Sequence, residues 1–88
     1  MDEQMITERL LELLSERNVR VRKEPLDGSR AGLCCLKGQK TFIFDPDSPP
    51  FEIAVCCAAA AADVIDDLDS IYLRPAVRDF IDKYGSQR

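Results

Sequence analysis

Histidine is absent from all 88 residues. That single gap removes the commonest general base, the commonest zinc ligand and the usual switch near neutral pH. Phosphate-cradling glycine motifs are missing too, since neither Gly-x-Gly-x-x-Gly nor a P-loop pattern occurs. Ser29, Ser48, Ser70 and Ser86 have no histidine to activate them. The longest uncharged apolar run, residues 53–62, is far short of the roughly 20 residues needed to span a bilayer. The start, Met1-Asp2-Glu3-Gln4, is acidic and lacks the basic-then-apolar layout of a signal peptide. The expectation is a soluble, cytoplasmic, non-enzymatic protein with no membrane partner.

The composition is that of a globular chain. Hydrophobic residues make up 45% and charged residues 32%, too apolar for disorder and enough for one small core. A single domain over residues 1–88 is expected, with a short disordered tail at about 86–88 and no internal repeat. The net charge of −4 hides a segregation of signs. Residues 17–40 hold Arg17, Arg20, Arg22, Lys23, Arg30, Lys37 and Lys40 against only Glu24 and Asp27. Residues 45–82 hold nine acids against Arg74 and Arg78. Solvated faces account for such runs in most proteins, but a basic and an acidic surface could also orient a partner.

Ile6, Leu10, Leu13 and Leu14 recur at helical spacing and predict a helix over about 3–17, with Asn18 as a left-handed stop. Val19-Arg20-Val21-Arg22 alternates with period two and predicts a half-buried strand, valines inward and arginines outward. Residues 31–37 and 41–44 predict two more strands, joined through Lys37-Gly38-Gln39-Lys40 as an antiparallel hairpin. Ser48 is expected to cap the next helix, with Pro49 at its first position. That helix, reaching about Asp66, is apolar all round between 53 and 62, as a buried helix must be. Pro75 opens a last helix with Val77, Phe80, Ile81 and Tyr84 as its buried stripe and Gly85 as its stop. The expected fold is α+β in the order α-β-β-β-α-α. It is a small three-stranded, mainly antiparallel sheet against a buried Ala-rich helix, with two flanking helices.

The four cysteines form two adjacent pairs, Cys34-Cys35 and Cys56-Cys57. Neighbours on a strand point to opposite faces, and neighbours on a helix diverge by about 100°. Only one cysteine of each pair can therefore meet the other pair, with Cys35 and Cys57 as the metal candidates and Asp45 or Asp47 as a possible third ligand. Packing as small buried hydrophobes is the plainer account. Asp45, Asp47, Asp66, Asp67 and Asp69 offer carboxylates, explained first by turn and cap duty.

The run Asp45-Pro46-Asp47-Ser48-Pro49-Pro50, followed by Phe51-Glu52-Ile53-Ala54-Val55-Cys56-Cys57-Ala58-Ala59-Ala60-Ala61, resembles the front half of the ImmA/IrrE-type zinc metallopeptidase domain. In that family a leading helix and three strands precede an Asn/Asp-Pro turn and a helix bearing HExxH. The likeness covers most of residues 6–62. It implies Cys57 in place of the first histidine, Ala58 in place of the catalytic glutamate and Ala61 in place of the second histidine. Alanine offers neither a lone pair nor a proton acceptor, so the resemblance implies a catalytically dead relative. The chain is also similar to short bacterial proteins of no assigned activity that carry a Gly-Leu-Cys strand and a Leu-x-Pro-Ala-Val-Arg tail.

The reading that follows is a non-catalytic protein-interaction domain without a cofactor, binding a protein partner or a second copy of itself. Interaction candidates are Arg20, Arg22, Lys37 and Lys40 on the basic side and Asp66, Asp67 and Asp69 on the acidic side. A thiol- or metal-linked role through Cys35 and Cys57 is the first alternative. Weak nucleic-acid binding through the basic 20–40 region is the second. It is disfavoured because no aromatic residue interleaves with those cations and the total charge is negative.

Overall fold

In the computed structural model, residues 2–25, 32–67 and 70–85 are described. The helix α1 spans Glu3–Glu16, one residue short of the expected end. Asp2 caps it by accepting a 2.9 Å hydrogen bond from the Met5 N–H. Asn18 takes φ of 64° and stops it, as its sequence position implied. The N–H of Asn18 donates to the Ser15 carbonyl and that of Val19 to Leu14, which is the paired closure of a Schellman end. Leu14 and Val19 are both buried, so the chain turns onto the core as it leaves the helix.

The strand β1 (Arg20–Lys23) follows at once. The hairpin strands are β2 (Gly32–Leu36) and β3 (Gln39–Phe44). Their loop is only Lys37-Gly38, with φ of 52° and 81°. Two positive values in succession define the tight turn whose twist suits a hairpin, so Gln39 and Lys40 belong to β3 and not to the loop. The sheet has the order β1-β3-β2 and is mixed, with β2 antiparallel to β3 and β1 parallel to it. The end of β1 and the start of β2 consequently lie at the same end of the sheet. Val21, Phe42 and Leu33 stand in one row across it, and that row faces the core.

The helix α2 spans Pro50–Val64. Its N-cap is Pro49, extended at ψ of 138°, and no side chain caps it. The expected Ser48 cap is thereby displaced by one residue. The cause is Pro50, whose ring disfavours helical geometry at the residue before it and then fits the first helical position itself. Ala54, Cys57, Ala58 and Ala61 are fully buried, which makes α2 the central helix, pressed between α1 and the chain's last segment.

That last segment is α3 (Pro75–Phe80), continued by a π-helical turn at Ile81–Gly85. Val77 and Ile81 are buried, while Phe80 and Tyr84 are half-buried against the core. Gly85 does more than end a helix. A Cβ placed there would lie 3.0 Å from the Ala58 carbonyl oxygen and 3.1 Å from the Ala62 Cβ. The widened turn thus brings a residue without a side chain against the alanine face of α2. One core cluster joins helices and sheet, and the radius of gyration is 12.2 Å, close to the roughly 12 Å of a compact chain this long. The expected tail at 86–88 lies outside the described residues.

Candidate functional surface

The sheet has two unlike faces. On the inner one, Val21, Leu33, Phe42 and Phe44 join the core. Strand alternation sends Arg20, Arg22, Cys34, Leu36, Thr41 and Ile43 to the other face. In register, Arg20, Thr41 and Cys34 make one row and Arg22, Ile43 and Gly32 make the next. Thr41 is buried within its row, with its hydroxyl donating to the Gln39 carbonyl at 3.3 Å. Ile43 and Cys34 are half-buried without belonging to the core cluster, and Leu36 is 44% exposed. The outer face therefore carries Leu36, Cys34 and Ile43, with Gln39 beside Leu36 and the two arginines on the β1 side.

The basic candidates do not form a single strip. Arg20 and Arg22 share the outer face, but Lys40 lies in register with Cys35 and takes the opposite side of the sheet. Lys37 sits at the hairpin tip. Arg22 reaches Glu24 at 2.7 Å, and that guanidinium is the polar neighbour of a carboxylate oxygen which otherwise has no hydrogen-bond partner among the described residues.

The acidic candidates are also divided. Asp67 pairs with Arg17 at 3.1 Å, tying the end of α1 to the segment after α2. Asp66 is exposed, and Asp69 lies outside the described residues. Charges that are segregated along the chain thus meet in space at the helix ends, which removes part of the expected separation into two charged surfaces.

The cysteine pairs differ sharply. Cys57 has no exposed surface, whereas Cys35 is exposed on β2. Burial, with Cys56 adding to it, pushes the Cys57 thiol from an ordinary 9.0 up to about 12. The thiolate is the form that binds metal or attacks a disulfide, so this environment works against both uses. Among the described residues no three potential ligands converge. Asp45 instead makes a turn, accepting the Asp47 N–H at 2.9 Å through its side chain and the Ser48 N–H at 3.0 Å through its carbonyl.

A concave surface away from the sheet escaped sequence reasoning. Phe51, Phe80 and Tyr84 form an aromatic cluster, with Phe51 5.2 Å and Phe80 4.7 Å from Tyr84 between ring centres. They line an open groove of about 640 Å³ together with Asp2, Glu3, Asp79 and Lys83. Phe80 and Tyr84, expected in a buried stripe, pack half-buried on the core and also line this groove. The signal available was Phe51, a large aromatic at the start of α2 outside the apolar run.

No family model, curated protein or solved structure matches this chain. No described helix is long and apolar enough to cross a membrane.

Proposed function

We propose that this chain is a small non-catalytic interaction domain that holds a protein partner on the outer face of its sheet. The observation carrying the reading is the set of Leu36, Cys34 and Ile43 on the outer face, flanked on the β1 side by Arg20 and Arg22 and lying outside the core cluster. Apolar surface of this kind gains by being covered, and the flanking cations set how a partner must approach.

We read the resemblance of residues 45–61 to a metallopeptidase scaffold as that of a degenerate relative, which suits this role. Cys57, Ala58 and Ala61 are all fully buried, so the positions that would carry the motif serve packing. Two tagged variants test the proposal, Ile43→Asp and the double variant Arg20→Glu with Arg22→Glu. Each is compared with the unaltered chain for partner retained from native cells, with thermal melts run in parallel. Loss of the partner with little change in melting is the expected result. A partner held equally by all three chains would sink the reading.

A further inference from the structure

We infer that the free edge of β2 pairs with the β2 edge of a second copy of this chain, antiparallel about a two-fold axis passing beside Cys34. The inference rests on the reading of the sheet as a binding surface and names one occupant for its β2 side.

The hydrogen-bonding pattern fixes which groups the edge offers. A two-residue hairpin closes on a hydrogen-bonded pair, here Leu36 with Gln39, and such pairs alternate along an antiparallel ladder. Leu36, Cys34 and Gly32 therefore direct their backbone groups inward to β3. An independent bond agrees. The Phe44 carbonyl accepts the Glu24 N–H at 3.0 Å, so Phe44, and with it Phe42 and Lys40, addresses the β1 side. Leu33 and Cys35 must then point their N–H and C=O groups away from the sheet. Among the described residues nothing receives them.

Within its own residues the strand carries none of the usual protection against pairing. Residues 32–36 contain no charge and no proline, and the strand pairs in register from end to end. Outward groups can meet only outward groups, which limits the register. The arrangement using all five residues sets Leu33 against Cys35 of the other copy, Cys34 against its own counterpart, and Gly32 against Leu36. Both outward residues then form hydrogen-bonded pairs, twice over by symmetry.

Side chains fit the same register. A Cβ on Gly32 would meet nothing within 4 Å, so the surface above it is open. The exposed Leu36 of the other copy falls on that space and lies in line with Ile43, which is half-buried in the same row. Each copy supplies one such leucine and one such gap. A five-residue ladder is small beside the roughly 1,200–2,000 Å² of stable interfaces, so the dimer belongs to the weak class and is favoured by high protein concentration.

The register makes a covalent test possible. Opposed residues of a non-hydrogen-bonded pair have Cα atoms about 4.5 Å apart, within the disulfide range, and this is the Cys34 pair. The two Cys35 residues would sit diagonally, about 7–8 Å apart and outside it. Diamide is added to the concentrated native chain carrying Cys35→Ser and Cys56→Ala, and separately to one carrying Cys34→Ser and Cys56→Ala. Two thiols each lose a hydrogen to diamide, which becomes the hydrazine, and one S–S bond forms. Cross-linked dimer is expected to form about tenfold faster or more with Cys34 retained. Equal or faster linkage through Cys35 would overturn the register.

Sedimentation of the reduced chain gives the second measurement. Mass rising toward the dimer with concentration is expected. It should be lost in Cys35→Pro, which removes an outward N–H at a place where an edge strand tolerates proline. It should also be lost in Gly32→Val, which fills the gap. A monomer at every concentration, or a dimer that survives both substitutions, would overturn self-pairing. Retention of another protein by the outer face would still be decided separately, by the Ile43→Asp and arginine variants.

Discussion

Cys34-Cys35 and Cys56-Cys57 are the same dipeptide set in two kinds of backbone, and the two regions treat it in opposite ways. On α2, a helix apolar all round and enclosed by its neighbours, Cys57 loses all contact with solvent and holds its proton up to about 12. On β2, an edge strand, Cys35 stays exposed and Cys34 lies half-buried on the outer face. Thiol chemistry is therefore a property of the element rather than of the residue. The centre of this molecule is built for packing, while the sheet edge leaves a thiol in reach of solvent.

The largest test of that contrast is the pH dependence of stability. In the unfolded chain the Cys57 thiol ionises near its ordinary 9.0, while in the folded chain it stays protonated up to about 12. Between those values the folded state binds more protons, so its contribution is intact below about pH 9. It then falls by about 1.4 kcal/mol per pH unit, reaching a loss of about 4 kcal/mol near pH 12. Denaturant unfolding of the native chain and of Cys57→Ala, at about pH 8 and about pH 10.5, should show stability falling more in the chain that keeps the thiol. Equal losses would mean that Cys57 is not sealed in the core, and the contrast between the two pairs would collapse.

The next test sets one glycine against another. Gly85 faces backbone and alanine of α2 at 3.0–3.1 Å, whereas Gly32 on β2 faces open space. Gly85→Ala should cost about 1–3 kcal/mol through overpacking, while Gly32→Ala should fall within about 0.5 kcal/mol of neutral. Thermal and denaturant unfolding of the two variants would measure the difference. A harmless Gly85→Ala would show that the last turn rests loosely on α2.

These glycines also mark how far sequence reasoning reaches. The period of α1, its Asn18 stop, the alternation of β1 and the apolar run of α2 are local signals, and each element formed where its pattern lay. The tight hairpin was legible for the same reason, although its loop proved two residues shorter than the four expected. What stayed hidden depends on distant neighbours. Nothing in residues 20–23 says that they lie parallel to β3 instead of beside β2, because sheet order is decided by which apolar faces share a core. Nothing local distinguishes Gly85 as a stop from Gly85 as a contact with Ala58. The outward set of Arg20 and Arg22 followed from alternation, but their separation from Lys40 did not, since it depends on where β3 begins.

The smallest effect concerns the charge pattern that sequence alone made conspicuous. Arg17 and Asp67 come from the oppositely charged stretches and pair at 3.1 Å, with about a third and a half of their side chains exposed. Water and salt screen a pair of that exposure, so Asp67→Asn should cost well under about 1 kcal/mol and lose even that at high ionic strength. A larger, salt-resistant loss would show that the ion pair fastens α1 to the end of α2, and that the helical half depends on charge as well as packing. A small one would leave apolar contacts to hold the helices together.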